Sequence, residues 1–102
     1  MNRFEEALEN YDSAIQKNPE DSDYYYGKAN TLDKMNRFED ALENYDSAIQ
    51  KNPEDSTYYA NKASTLTKLT RFDEALYNYN IAIQKQPQNS IYNSVKALTL
   101  IQ

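Results

Sequence analysis

The chain has no histidine, no cysteine and no tryptophan, and its 102 residues include one glycine, Gly27, and three prolines. Each absence closes a class of chemistry. Without histidine or cysteine there is no imidazole general base, no thiolate nucleophile and no Cys/His zinc site. One glycine cannot build a glycine-rich phosphate loop. No disulfide framework can form, so cysteine usage leaves the compartment open. Basic residues are outnumbered, 11 against 16 acidic ones, for a net charge of −5. A nucleic-acid partner would need the opposite, a basic footprint. No apolar run approaches the roughly 18 residues of a membrane span. Arg3, Phe4, Glu5 and Glu6 do not begin a signal peptide. The expectation is a soluble, intracellular and cytoplasmic, non-enzymatic chain with no cofactor, no metal, no nucleic acid and no membrane partner.

What the chain does have is a repeat. Residues 1–34, 35–68 and 69–102 are three periods of 34 residues with nothing left over. The first two differ only at Glu6/Asp40, Asp23/Thr57, Tyr26/Ala60, Gly27/Asn61, Asn30/Ser64 and Asp33/Thr67. A fixed period of this size marks a solenoid stacked from one supersecondary unit, read here as a single domain over 1–102.

Each period carries two helical patterns. In the second, Phe38, Ala41, Leu42, Tyr45, Ala48 and Ile49 form one apolar stripe at helical spacing. Asn36 with Glu39 reads as a capping-box-like start, as do Asn2 with Glu5 and Thr70 with Asp73. Lys51 sits in the last turn and Pro53 stops the helix. The other helix starts at Asp21 or Ser22, with later copies at Asp55/Ser56 and Asn89/Ser90, and buries Tyr25, Ala29 and Leu32. About three residues separate the helices around Met35 and Leu69, so neighbours run antiparallel. The expected fold is all-α, six antiparallel helices with no strand.

Tyr25, Lys28, Ala29, Leu32, Ala41, Tyr45 and Pro53 follow the spacing W-x2-L-G-x2-Y…A-x3-F…P, as do Tyr59, Lys62, Ala63, Leu66, Ala75, Tyr79 and Pro87. The whole chain thus resembles the tetratricopeptide repeat. That resemblance implies a right-handed α-solenoid that starts on a second helix and ends on a first one. Lys28, Lys62 and Lys96 depart from the pattern by replacing a leucine. Their stems are expected to pack while the ammonium groups stay exposed.

In this family the first helices of successive units line a concave groove for an extended peptide, so the partner implied is a protein or peptide. Helical spacing puts Asp23, Tyr26, Gly27, Asn30, Asp33 and Lys34 opposite the buried stripe of one helix. Thr57, Ala60, Asn61, Ser64, Thr67 and Lys68 take those places on the next. From these, Asp23, Tyr26, Asn30, Asp33, Thr57, Asn61, Ser64 and Lys68 are the candidate peptide site. Asn30 and Asn61 match a carboxylate clamp known in the family, but Tyr26, Ser94 and Leu98 stand where it has cations. Without charge-assisted bonds a carboxylate gains little over water.

Other features have plainer readings. Glu5, Glu6, Glu9 and Asp12, with their copies Glu39, Asp40, Glu43 and Asp46, sit near helix starts, where the macrodipole favours anions without catalysis. Asp21, Ser22 and Asp23 lack the remaining ligands of a calcium loop. The run Tyr24, Tyr25, Tyr26 reads as packing and groove wall.

The phase of the repeat supports a second functional reading. A first helix lacking its upstream partner and a final helix lacking its downstream one would expose Phe4, Leu8, Tyr11, Ile91, Val95, Leu98 and Ile101. Through these the chain would self-associate as a homo-oligomer, head to tail or by exchange. A third reading is an excerpt of a longer array, or an engineered one.

Overall fold

A computed structural model describes residues 3–102. Six helices form: α1 (Arg3–Lys17), α2 (Ser22–Lys34), α3 (Phe38–Lys51), α4 (Ser56–Lys68), α5 (Phe72–Lys85) and α6 (Ser90–Leu100). The described residues contain no strand. The chain divides into two compact units, Met1–Pro53 and Glu54–Gln102. In the first, α2 packs on both α1 and α3; in the second, α5 packs on both α4 and α6. The division falls in a proline loop, not at a join between periods.

The tight turns explain that placement. After α2, the Asn36 N–H bonds the Asp33 carbonyl at 3.0 Å and the Arg37 N–H bonds the Leu32 carbonyl at 2.9 Å. After α4, Thr70 bonds Thr67 at 3.0 Å and Arg71 bonds Leu66 at 2.9 Å. These paired bonds are Schellman closures, and they require a left-handed residue at C′. Asn36 and Thr70 supply it, with φ of 61° and 58°. The capping-box expectation is therefore corrected. Asn36 and Thr70 end one helix instead of starting the next, because the closing turn holds them in the αL region whereas an N-cap residue takes a β-region conformation. The N-cap positions are Arg37 and Arg71, which make no side-chain cap bond. They grip the first turn differently: Arg37 pairs with Asp40 and Arg71 with Glu74, each at 2.9 Å. Asn2 lies outside the described residues.

At the other helix starts, Asp21, Asp55 and Asn89 are the N-caps, each accepting a bond from the backbone N–H two residues on. Each satisfies one of the donors that a helix start leaves orphaned.

The apolar stripe of α3 is buried at Ala41, Leu42, Tyr45 and Ala48, and that of α5 at Ala75, Tyr79 and Ala82. Alanine at these places lets the helix axes approach closely. In the first unit Leu8, Ala29, Leu32, Ala41 and Tyr45 form one cluster, with Tyr26 and Met35 packed against it. The stripe of the other helices needs correcting. Tyr58 and Tyr92 are buried, whereas Tyr59 is half-buried and Asn93 exposed. Tyr25, expected inside, is half-buried and donates its hydroxyl hydrogen to the Pro19 carbonyl at 2.9 Å. Thr31, Thr65 and Thr99 are also buried. Thr31 and Thr99 meet the cost of burial by donating to the carbonyls of Gly27 and Val95, one turn back.

Candidate functional site

The candidate peptide residues fall on two helices. On α2, Asp23, Tyr26, Asn30 and Asp33 recur at steps of three and four and share a face. Asp23 is exposed and the other three are half-buried. Two of them are fixed by α3. The Tyr26 ring lies 6.2 Å from the Tyr45 ring, tilted at 52°. The Asn30 side-chain oxygen accepts the Tyr45 hydroxyl hydrogen at 2.5 Å. On α4, Thr57 and Lys68 are exposed while Asn61 and Ser64 are half-buried. Ala60, which helical spacing placed on the same open face, is buried.

A repeated device underlies these faces. Ser64 occupies the position of Asn30, and Tyr79 that of Tyr45. The Tyr79 hydroxyl lies among the hydroxyls of Thr67, Thr99 and Ser64. Burial pushes the Tyr79 phenol above its ordinary value, and those hydroxyls oppose the rise. In the first unit, then, a candidate-site side chain is hydrogen-bonded to a core tyrosine, and in the second Ser64 lies beside the equivalent Tyr79. Helical spacing assigns Asn30 and Ser64 to the open face and is silent on this bond. The unchanged Tyr11, Tyr45 and Tyr79, each carrying a hydroxyl into a packed stripe, were the available signal.

The candidate self-association residues are placed unevenly. Ile91 is 67% exposed, Leu98 58% and Ile101 78%, and Leu100 joins them at 60%. Phe4 is exposed, Tyr11 and Val95 half-buried. Leu8 is not on the surface; it belongs to the core of the first unit.

The lysines at the departing position are half-buried. Lys28 does not end in open water, since its ammonium nitrogen lies 2.7 Å from Asp12 Oδ1. Lys28 and Arg37 face an open cleft of about 330 Å³ in the first unit, whose acidic lining includes Glu5, Glu9, Asp12 and Glu43. Among the described residues no three carboxylates are grouped to hold a metal ion, and no helix is long and apolar enough to cross a membrane. In the second unit the Arg71 guanidinium, by hydrogen bond first and charge second, holds the Glu74 carboxyl below its usual range. No described buried side-chain nitrogen or oxygen lacks a partner.

Helix pairs closed by Schellman turns, alanines at the close approaches and a 34-residue period define a helical-repeat fold. Known proteins identify the repeat. The sequence model of the family described as "Tetratricopeptide repeat" matches residues 1–65, and the chain belongs to that family. No curated protein matches it in sequence. Among solved structures, the TPR2B domain of yeast Sti1 in complex with pHsp70 superposes with a TM-score of 0.91 at 23% identity, over 98% of this chain and 85% of that one. The TPR domain of Arabidopsis OM64 gives 0.88 at 21% identity, over 95% and 80%. The first TPR of Spaghetti (RPAP3), bound to the HSP90 peptide SRMEEVD, gives 0.90 at 16% identity, over 95% and 77%. At these identities the likeness is one of fold.

Proposed function

We propose that this chain is a non-catalytic protein–protein interaction module that holds an extended peptide or partner segment, the open face of α2 in the first unit and that of α4 in the second each being a candidate contact surface. One observation carries the reading. Of the six differences between the first two periods, five fall on or beside those faces, at Asp23/Thr57, Tyr26/Ala60, Gly27/Asn61, Asn30/Ser64 and Asp33/Thr67. The acidic outer face, more exposed still, changes only at Glu6/Asp40. A scaffold that stays constant while one face varies is what tuning to a ligand produces. The Sti1 domain in complex with pHsp70 and the Spaghetti domain bound to an HSP90 peptide support a peptide as the ligand class.

The chemistry of the ligand differs from that of a carboxylate-terminated tail. Tyr26, Ser94 and Leu98 leave the clamp positions without cations, so the contacts come from amide and hydroxyl groups to peptide backbone. An array of extended peptides, each with a free and an amidated C-terminus, tests this against wild type, Asn61→Ala, Asn30→Ala and Tyr45→Phe. Binders should not distinguish the two termini and should lose affinity about tenfold in each Asn variant, the worth of one or two hydrogen bonds. Tyr45→Phe keeps the Asn30 amide and should still bind. Binding that survives both Asn changes would move the site elsewhere.

A further inference from the structure

The uncovered faces of α1 and α6 have covered counterparts in the same chain. Phe4–Lys17 of α1 and Phe38–Lys51 of α3 differ only at Glu6/Asp40. In α3, packed on α2, Ala41 and Ala48 are 0% exposed and Tyr45 2%. In α1 the equivalent Ala7, Ala14 and Tyr11 are only half-buried. With Asn10 and Tyr24 they line an open, mostly apolar pocket of about 340 Å³. The same sequence therefore has a covered and an uncovered copy.

The complementary vacancy lies on α6. Leu32 of α2 clusters with Ala41 and Tyr45 of α3 and is 2% exposed, and Leu66 of α4 is 0% exposed. Their equivalent Leu100 is 60% exposed. Ala29 and Ala63 are 0% exposed, while Ala97 is exposed. The neighbouring positions have also lost polarity, since Ile91, Leu98 and Ile101 replace Asp23, Asn30 and Asp33. Ile91, Leu98 and Ile101 fall within about 80° around the helix, and exposed apolar side chains grouped in this way are the signature of a contact surface.

We propose that α6 of one copy of this chain docks on α1 of a second copy, forming between chains the helix pair that α2 and α3, and α4 and α5, form within one. The occupant is a second copy because α1 presents, side chain for side chain, the face with which α3 covers α2. Leu100 and Ala97 would enter the pocket lined by Ala7, Tyr11 and Ala14. One polar bond is not reproduced: Leu98 stands where Asn30 accepts from Tyr45, so the Tyr11 hydroxyl keeps water at the rim. The contact is thus weaker than its internal counterpart and depends on concentration. Being heterologous, it leaves one face open at each end and extends unless a ring closes.

Sedimentation velocity of the 102-residue chain, from low micromolar to near-millimolar concentration, tests the proposal. The weight-average mass should rise above that of one chain. Leu100→Glu and Ala14→Arg should each abolish the rise while keeping wild-type helicity by circular dichroism. Asn10→Arg, at an exposed position lining the same pocket, replaces Ala14→Arg should the latter lose helicity. Mixing the two variants decides the geometry. Each retains one intact face, and the pair should settle at twice the mass of one chain and no higher. A wild type monomeric throughout, a single variant that still assembles with itself, or a mixture that fails to combine would each overturn the proposal.

Discussion

The Tyr45 hydroxyl, on a side chain 2% exposed in α3, donates its hydrogen to the half-buried Asn30 oxygen in α2. The two partners of this bond should not be equally costly to lose. Tyr45→Phe leaves an acceptor at the edge of the protein, where water can replace the phenol, and should destabilise by about 1 kcal/mol. Asn30→Ala strands a hydroxyl in packed surroundings and should cost more, about 1–3 kcal/mol. In the double variant the second change should cost less than it does alone, the mark of a coupled pair. Urea unfolding of the four proteins measures this. Equal, additive losses would show that the bond contributes nothing specific.

A Cβ added to Gly27 would overlap the ring of Tyr11, which lies across the glycine from α1. Two effects compete. Alanine at a helical glycine gains about 1 kcal/mol in propensity. Displacing a packed aromatic ring costs about 1–3 kcal/mol. Gly27→Ala should therefore destabilise wild type. In a Tyr11→Ala background the obstacle is gone, and the same substitution should stabilise by up to about 1 kcal/mol. The change of sign, read from urea midpoints, is the test; the same sign in both backgrounds would remove Tyr11 as the reason for glycine.

Thr70 and Asn36 occupy equivalent left-handed positions, at φ 58° and 61°. Asparagine tolerates that region and a β-branched residue does not. Thr70→Asn should stabilise the chain by about 1 kcal/mol, and Asn36→Thr should destabilise it by a similar amount. Thr70 does recover one bond, from its hydroxyl to the Leu69 carbonyl at 2.6 Å. Opposite shifts in the urea midpoint are expected, and shifts in one direction would contradict the conformational argument.

These residues show how far the sequence could be read. The six helices follow from the period of the apolar stripe and the proline stops, because burial of one helix face is a strong, repeated signal. The N-caps at Asp21, Asp55 and Asn89 follow from residue type and place. Asn36 was legible as a helix boundary but not as which one, since asparagine favours both N-cap and C′ positions and only backbone geometry separates them. Tyr24, Tyr25 and Tyr26 are adjacent, and a helix turn distributes them over different faces. The 34-residue pattern favoured Tyr25, yet the aromatic retained in all three periods is Tyr24, Tyr58 and Tyr92. The candidate residues of α2 were legible as one helix face, while Ala60 of α4, assigned to the equivalent face, is buried. The Tyr45–Asn30 bond was not legible, because it depends on how two helices pack.

Tyr79 gives the fold a dependence on alkaline pH. Burial raises its folded pKa above the ordinary phenol value, against the opposing influence of the nearby Thr67, Thr99 and Ser64 hydroxyls. An acid with a raised folded pKa binds more protons in the native state than in the unfolded one over the window between the two values. Stability is therefore full below about pH 10, the unfolded pKa of tyrosine, and falls as pH rises through the folded value. Tyr79→Phe should lower stability near neutral pH by about 1 kcal/mol through its lost hydrogen bonds. It should also flatten the alkaline decline, so the two stability curves converge as the wild-type phenol ionises. Urea midpoints across the alkaline range supply the curves, and the tyrosinate absorbance difference between the two proteins locates the ionisation. A difference spectrum that rises at the ordinary phenol pKa, with parallel stability curves, would mean that the Tyr79 hydroxyl is hydrated in the folded chain.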